Sequence, residues 1–173
     1  KLLLHLNGNS TDSSGNGNNG TDTNVTYGLG YGKFGQGAGF NGNSSLISIA
    51  DSTSLSPNGS YTISFWANIQ VYKGNYTLWV GKWGESNNQR EYAIGESTTS
   101  SNKIAFFHAT TGSYGTNSFS VEVSRPSTNS WHNIICVFVS GTGGYIYIDG
   151  NQVGFTTSSA TSVTNGTEPN TIG

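Results

Sequence analysis

Apolar and polar positions alternate most clearly at residues 131–157, where two apolar segments, WHNIICVFV and YIYI, are separated by turn residues. Both faces of the first segment are mostly apolar, which is typical of a central strand covered on two sides. Glycine accepts positive φ at little steric cost, so the Gly-rich run at 140–144 is predicted to reverse the chain. Asp149-Gly150 is a strong hairpin signal. The pattern therefore predicts a three-stranded antiparallel meander.

The same period of two predicts strands in most of the remaining chain. Residues 61–71 give the clearest long strand, with Ile63, Phe65, Ala67 and Ile69 on one face. Shorter strands are predicted at 1–6, 46–49, 77–83, 91–95, 103–108, 118–123 and 170–173. No segment has a convincing helical pattern. The sequence therefore predicts an all-β protein in which eleven or twelve short strands form a two-sheet antiparallel sandwich.

Composition supports this fold class and excludes several functions. Charged residues make up 9% of the chain, against roughly 25% in an average soluble domain, so Asn, Ser, Thr and Gly must supply the polar surface. Seven Lys plus Arg, placed singly, and a formal charge of −2 give no basic footprint for nucleic acid. The apolar runs are too short to span a bilayer, and without repeats or a Pro-rich linker we predict one domain over 1–173. The single cysteine, Cys136, is predicted to be an inert buried thiol.

The stretch at 7–23 is rich in Asn, Gly and Ser, has no apolar side chain, and is predicted to be a loop. Within it, Asp12, Ser14 and Asn16 place oxygen-bearing side chains at alternate positions before Gly17. Calcium prefers such ligands, and the spacing overlaps an EF-hand opening, although no acid follows at the twelfth position. Two interpretations stay open, namely a solvated turn-rich loop and a loop that calcium orders.

Catalytic patterns are absent from the sequence. Retaining glycosidases need two carboxylates about 5–5.5 Å apart, and no Glu-x-Glu or Glu-x-Asp pair occurs to supply them. Glu91 and Glu96 are an odd number of residues apart, so a regular strand would send them to opposite faces. No Ser–His–Asp order with a nucleophile elbow is visible, and His5, His108 and His132 are expected to be packed or edge residues. We predict that the protein is not an enzyme.

A binding site for a neutral sugar needs aromatic faces beside planar polar groups, which suits a weakly charged surface. Trp83 is the best candidate, because a polar loop follows it in the sequence. For each tryptophan, packing within the protein is the alternative interpretation. The predicted carbohydrate-binding set is Trp66, Trp83, Asn87, Asn88, Arg90 and Tyr92.

Six segments, taken in order, resemble one known family. They are LLLHLNGNSTDSSGNGNNGT (2–21), LISIADSTSL (46–55), YTISFWANI (61–69), EYAIG (91–95), WHNIICVFV (131–139) and YIYIDGNQV (145–153). Nearly the whole chain resembles a laminin-G-like, concanavalin A-like jelly roll of the type common in bacterial and phage surface proteins. The pairing of a Trp-His strand with a Tyr-x-Asp-Gly hairpin is fairly specific to this fold, but not to any ligand.

The resemblance implies a non-catalytic carbohydrate-binding or adhesion module, extracellular or surface-exposed, whose partner is a glycan or glycoprotein surface. Family members continue beyond Gly173 into a strand with an acidic pair, so residues 1–173 are expected to lack the last strand. By the same resemblance, an acid of that strand would help hold calcium near Asp12, and we expect weak or absent calcium binding without it. The alternative function is a structural subunit of a phage, filament or cell-surface assembly, completed by strand donation from a neighbouring copy.

Overall fold

The computed structural model describes residues 1–74, 77–113, 115 and 118–173, and the side chain of Asn87 lies outside this description. The described residues form thirteen β-strands and three short 3-10 helices, at Leu29–Tyr31, Thr53–Leu55 and Ser86–Asn88. In chain order the strands are β1 (Gly20–Thr23), β2 (Thr26–Gly28), β3 (Gly37–Gly39), β4 (Leu46–Ile49), β5 (Tyr61–Asn68), β6 (Leu78–Gly84), β7 (Gln89–Glu96), β8 (Lys103–Gly112), β9 (Phe119–Ser124), β10 (Trp131–Val139), β11 (Gly143–Ile148), β12 (Asn151–Thr157) and β13 (Asn170–Ile172).

Two antiparallel sheets make up the body of the molecule. The larger has the strand order β1-β4-β13-β6-β7-β8-β9 and the smaller has the order β12-β11-β10-β5, while β2 and β3 form a separate hairpin. The predicted all-β sandwich is therefore confirmed, and so is the meander at 131–157, which forms β10, β11 and β12. Its turns use positive φ at Gly141 (+70°) and Gly150 (+83°). In the part of the chain that the structure describes, no helix is long and apolar enough to cross a membrane.

The N-terminal region differs from the prediction. Residues 1–6 are predicted as a strand, but they contribute only an isolated bridge between Leu4 and Asp12, and the backbone leaves the extended conformation at Leu6, with φ +55°. The polar stretch at 7–23 ends in β1, and the Gly-rich segment after it supplies β2 and β3. These short strands raise the count above the predicted eleven or twelve. Hydrogen bonds from polar loop residues, rather than apolar periodicity, place them, so the hydrophobic pattern gave no signal.

The main core lies between the two sheets. Fully buried side chains from both sheets meet there, among them Ile94, Phe106, Ile134, Cys136 and Phe138. Each apolar side chain of this size contributes about 1.5–3 kcal/mol relative to exposure. Cys136 is a free, fully buried thiol, and burial raises its pKa, as expected for an unreactive cysteine. The core holds the two sheets in a fixed relation, so the outward side chains of each sheet form a stable surface.

A second apolar cluster covers the β1–β4–β13 half of the larger sheet. Ile47, Ile49 and Leu55 are buried there, and Leu2, Leu4, Leu6, Val25, Phe40 and Ile172 pack against them. Ile172 belongs to β13, which is paired with β4 on one side and with β6 on the other. The predicted strand at 170–173 thus lies inside the larger sheet.

Candidate functional site

The predicted carbohydrate-binding residues lie in three separate places. Trp66 points outward from β5 in the smaller sheet, whereas Trp83 packs with Ala93, Ala105 and Phe107 on the outside of the larger sheet. Tyr92 lies in the main core between them. Asn88 is exposed beside the Trp83 region, and the side chain of Asn87 falls outside the described residues. The described members of this set therefore do not form one site.

Tyr92 is a core residue and not a surface platform. Its side chain is 5% exposed, its hydroxyl donates to the carbonyl of Leu55 (2.7 Å), and it accepts from the amide of Asn170 (2.8 Å). Opposite it in the sheet lie Lys82 and His108, which are also fully buried. The prediction that Tyr92 binds ligand from the surface is wrong, because its strand face is turned to the opposite sheet.

Trp83 is half-buried and held by the protein's own side chains. Its ring centroid lies 5.7 Å from that of Phe107, and the guanidinium of Arg90 lies 5.9 Å from the same ring. Arg90 in turn forms a 3.9 Å ion pair with Glu85. Trp83 and Arg90 are therefore neighbours, as the sequence suggested, but much of their surface contacts the protein itself.

Trp66 is more open, at 43% exposure. Phe34, 76% exposed, meets it edge-on at 5.5 Å between ring centroids, and the ammonium of Lys33 lies 5.5 Å from the Trp66 ring. Both residues come from the Gly-rich loop between β2 and β3. The backbone of that loop approaches itself so closely that a Cβ on Gly37 would stand 2.1 Å from the carbonyl oxygen of Tyr31. The glycines thus allow the loop to bring Phe34 to Trp66.

Trp66 is one corner of a larger surface, which we call the outer aromatic face. It consists of the outward side chains of the four strands of the smaller sheet. At its opposite corner, Tyr145 and Phe155 are cross-strand partners whose rings lie 5.9 Å apart and 20° from parallel, and Phe155 is 59% exposed. The face comprises Thr62, Ser64, Trp66, Asn68, Trp131, Asn133, Ile135, Val137, Val139, Tyr145, Tyr147, Gln152, Val153, Phe155 and Thr157.

All four strands of this face are described by the structure, and no outward position on them carries a charge. Tyr147 donates its hydroxyl to Gln152 (3.2 Å), so aromatic and amide groups are already combined within the face. At the Thr157 end of β12, a shallow depression is lined by Gly141, Thr142, Thr157, Ser158 and Ser159. Sequence reasoning missed Tyr145 and Phe155 as site residues. The aromatic and aliphatic alternation of YIYI was the available signal, since it placed the tyrosines on the face opposite the core.

The acids that hydrolysis would require are buried and neutralised. At one end of the sandwich the ammonium of Lys82 contacts Glu91 (2.5 Å), Asp51 (2.7 Å), the hydroxyl of Ser56 (2.7 Å) and the carbonyl of Gly166 (2.7 Å). Lys82 and Glu91 are both fully buried. Burial raises the pKa of Glu91, while the hydrogen bonds from Lys82 and the Gly166 amide act in the opposite direction.

Glu96 lies at the other end of β7. It forms an ion pair with Arg125 and accepts the amides of Lys73 (2.7 Å) and Gly74 (2.9 Å). The expectation that Glu91 and Glu96 face opposite sides of the sheet is wrong, because a bulge between Arg90 and Tyr92 changes the parity of the strand. Five strand residues still separate the two acids by about 16 Å. Glycosidase acids stand about 5–9.5 Å apart, so these two carboxylates cannot act as a pair.

His132, which the sequence predicted to be a packed or edge residue, contacts two polar side chains. Its Nδ1 lies 2.7 Å from an oxygen of Asp149 and its Nε2 lies 3.0 Å from the hydroxyl of Ser127. The order of contacts resembles a catalytic triad, but the Asp149 side chain is 43% exposed, whereas the triad acid is buried. Its second oxygen accepts the amide of Asn133 (2.9 Å). The hydrogen bonds from His132 and Asn133 lower the pKa of Asp149. The cluster therefore fastens the β11–β12 turn to β10.

The predicted calcium ligands Asp12, Ser14 and Asn16 do meet in the folded loop. Both oxygens of Asp12 are occupied, however, because they accept the amides of Leu3 (3.0 Å), Ser14 (2.8 Å) and Asn18 (2.9 Å) and the Ser14 hydroxyl (2.9 Å). Burial would raise the pKa of Asp12, but these hydrogen bonds outweigh it and lower the pKa to about 2.

Two side-chain amides of the same loop also act as donors, because Asn16 and Asn18 both donate to the carbonyl of Lys1. Calcium needs six to eight oxygen acceptors, and a carboxylate surrounded by N–H and O–H donors does not provide that donor set. Among the described residues, no group of three or more His, Cys, Asp or Glu could hold a metal ion. The residues present therefore do not fit a calcium site. The solvated loop remains the interpretation that the geometry favours.

Residues 41–173 match the family model Laminin_G_3, described as the concanavalin A-like lectin/glucanases superfamily. The chain belongs to this family. The match confirms the resemblance inferred from the sequence motifs. A search of curated protein sequences gives no match.

Solved structures give the same fold. Domain 4 of AbnA, a GH43 extracellular arabinanase from Geobacillus stearothermophilus in complex with arabinotriose, is similar with a TM-score of 0.71 and 21% identity, over 100% of this chain and 83% of that one. The binding domain of Paraclostridial Mosquitocidal Protein 1 gives a TM-score of 0.71 at 18% identity over 94% of this chain. Botulinum neurotoxin type C gives 0.68 at 17% identity over 99% of this chain. The Laminin_G_3 domain spans only about two fifths of these two toxin chains, at 41% and 42% of their length.

Proposed function

We propose that this Laminin_G_3 domain is a non-catalytic, extracellular carbohydrate-binding and adhesion module, and that it binds neutral glycan on the outer aromatic face. One observation carries the proposal. The outward positions of the smaller sheet combine exposed aromatic rings, such as Trp66 and Phe155, with hydroxyl and amide side chains and with no charge. The partner would be a glycan or glycoprotein surface.

Neutral sugars suit this surface for a physical reason. A sugar ring presents C–H groups on its faces and hydroxyls at its edge, so it needs apolar platforms beside groups that both donate and accept hydrogen bonds. Side chains of Ser, Thr, Asn and Gln do both, whereas a carboxylate only accepts and an ammonium only donates. On this face Ser64 and Asn133 lie beside Trp66, and Thr157 lies beside Phe155.

Structural relatives support binding as the general activity. The arabinanase domain is described in complex with arabinotriose, and the type C neurotoxin is described as depending on two ganglioside molecules for cell entry. A further neurotoxin binding domain is described in complex with SialylT. Since identity to each is below 25%, these relatives support the module type and leave the ligand to be found. The four strands of the outer aromatic face carry no outward charge, and among the described residues only Lys33 of the hairpin loop reaches it, which favours a neutral ligand over a sialylated one.

A glycan array of neutral and sialylated oligosaccharides, followed by titration calorimetry of the positive ligands, tests the proposal. Trp66→Ala should weaken binding by about 1–3 kcal/mol, the range for an aromatic hot spot. Ser48→Ala, a change on the larger sheet, serves as the control and should leave affinity unchanged. Binding confined to sialylated glycans, or an unchanged affinity in correctly folded Trp66→Ala, would contradict the assignment to this face.

No observation of comparable weight favours the alternative, a structural subunit completed by strand donation. The last described strand, β13 (Asn170–Ile172), is paired on both sides. Electron microscopy of the purified protein would reveal regular polymers if assembly were its role.

A further inference from the structure

We propose that the outer aromatic face holds two aromatic subsites at opposite corners, Trp66 and the Tyr145–Phe155 pair, and that one extended neutral oligosaccharide spans both. This inference rests on the proposed function, because it specifies how the glycan lies on the same face. It assigns Tyr145 and Phe155, which the sequence did not suggest as ligand residues.

Strand register fixes the distance between the two subsites. Phe155 pairs with Tyr145, Tyr145 with Val137, and Val137 with Thr62, which precedes Trp66 by four residues on β5. Three strand spacings give about 14 Å across the sheet and four residues give about 13 Å along it, so the diagonal is about 20 Å. A sugar ring is no larger than an indole ring. A ligand that touches both corners must therefore contain several sugars.

The strip between the corners suits a continuous chain. Ile135 lies near the middle of the diagonal, with Ser64 and Tyr147 as its cross-strand neighbours on either side. The hydroxyl and amide of the Tyr147–Gln152 pair provide polar contacts along the strip. Because a sheet face is open at both ends, nothing in this geometry selects a chain terminus. The expected mode of recognition is an internal segment of a linear glycan.

Both corners offer ring surface that the protein leaves accessible. Phe155 is 59% exposed, and its ring stacks with that of Tyr145 at 5.9 Å and 20° from parallel. Trp66 is 43% exposed, and Phe34, which is 76% exposed, meets it edge-on. A ligand held at two linked points gains affinity, because binding at the second point is intramolecular.

Hydroxyl and amide side chains lie among the rings over the whole face, which favours a glycan over a protein partner. Protein interfaces enrich Arg together with aromatic residues at their core. The described outward positions of β5, β10, β11 and β12 contain no Arg, and Lys33 reaches the Trp66 corner only from the neighbouring hairpin loop. Self-association through this face is therefore treated as an outcome of the test.

The experiment is calorimetry with two ladders, α-1,5-arabino-oligosaccharides and β-1,4-gluco-oligosaccharides, each from the disaccharide to the octasaccharide. In the unmodified protein, affinity for at least one ladder should rise by about tenfold or more between the trisaccharide and the hexasaccharide. Phe155→Ala should remove this rise, which lowers hexasaccharide affinity by about tenfold and trisaccharide affinity by less than about threefold. Val71→Ala, a change at an exposed apolar residue outside the face, is the matched control and should change neither value.

The outcomes separate the two proposals. Binding that depends on Trp66 but not on chain length or Phe155 would overturn the two-subsite arrangement and leave the proposed function standing. If neither ladder nor any neutral glycan of the array binds, both proposals fail. Sedimentation velocity provides the remaining check. A dimer that Phe155→Ala dissociates would assign the face to a second copy of the chain and overturn the two-subsite glycan site.

Discussion

At the Lys82 end of β6, a fully buried ammonium holds Glu91 and Asp51, whereas the outward strands of the smaller sheet carry aromatic rings and no charge. The two acids of β7, Glu91 and Glu96, thus lie inside, each beside a cation. Residue types that bind neutral sugars lie outside, with ring surface open to solvent. The difference teaches that these two buried acids are explained by folding, and that ligand chemistry is to be sought among uncharged residues.

The strongest way to test the folding role of the inner cluster is Lys82→Met, which removes the ammonium but keeps a long apolar stem. Glu91 would remain buried without a cation, so we expect a loss of about 3–5 kcal/mol in the free energy of unfolding. Chemical denaturation measures it. The double variant Lys82→Met/Glu91→Gln should recover much of the loss, because no uncompensated charge then remains. A loss below about 1 kcal/mol in the single variant would show that the pair is not buried in solution.

Protonation of His108 gives the second-largest expected effect. It tests the buried side of the comparison through the pH dependence of the free energy of unfolding. His108 is fully buried between Phe119 and Phe138, accepts or donates a 2.9 Å hydrogen bond with Tyr61, and has its pKa lowered by burial to about 4. The unfolded chain binds the proton near pH 6.5, so this group's stabilisation is present above pH 6.5 and is lost as pH falls towards 4. The loss is about 3 kcal/mol, from 1.36 kcal/mol per pKa unit.

His108→Gln provides the control for that pH effect, because the contribution of Glu91, whose pKa is raised by burial, is common to both proteins. The difference in unfolding free energy between the two proteins should change between pH 6.5 and 4 and stay constant above pH 7. Parallel stability curves for the two proteins across this range would contradict the prediction.

Asp12 gives the third effect and tests the loop at 7–23. Asp12→Ala leaves four donors without their acceptor, and we expect a cost of about 1–3 kcal/mol in the free energy of unfolding. A ligand that binds the native state raises the melting temperature. Because the oxygens of Asp12 are already occupied by donors, we expect the unmodified protein to melt at the same temperature with calcium as with chelator. A calcium-dependent rise that Asp12→Ala abolishes would restore the calcium interpretation.

The sequence predicted those parts of the fold that depend on apolar periodicity. The meander at 131–157 and the long strand predicted at 61–71, which ends at Asn68 in the structure, follow from alternation, and Cys136 was correctly placed inside. The bulge at Glu91 was not predictable, because one extra residue changes the parity of a strand without leaving a compositional mark. The pairing of His132 with Asp149 and Ser127 was missed for another reason. It depends on how β10 and the β11–β12 turn meet, which alternation alone does not specify.

Exposure separates the residues that the sequence proposed for the site, and their contacts with a ligand stay predictions. Trp66 was proposed from its position on a polar strand face, and it is exposed. Tyr92 is also aromatic, but its side chain lies on the strand face that is turned towards the opposite sheet, and it is buried. Asn87 cannot be compared, since its side chain is outside the described residues. Single-sequence patterns identify aromatic residues on strands, but which sheet covers which face is decided by the topology.

The smallest expected effects come from comparing the two tryptophans that the sequence proposed together. Trp83→Ala removes a half-buried ring that packs on Phe107 and Arg90, so it should lower the melting temperature and leave glycan affinity unchanged. Trp66→Ala removes an exposed ring and should do the reverse, with about 1–3 kcal/mol lost in binding and within about 0.5 kcal/mol in stability. Thermal unfolding and calorimetry on both variants measure the two quantities side by side. If Trp83→Ala were the variant that lost affinity, the ligand surface would lie on the larger sheet, because the two rings are on opposite outer faces of the sandwich and one small glycan cannot reach both.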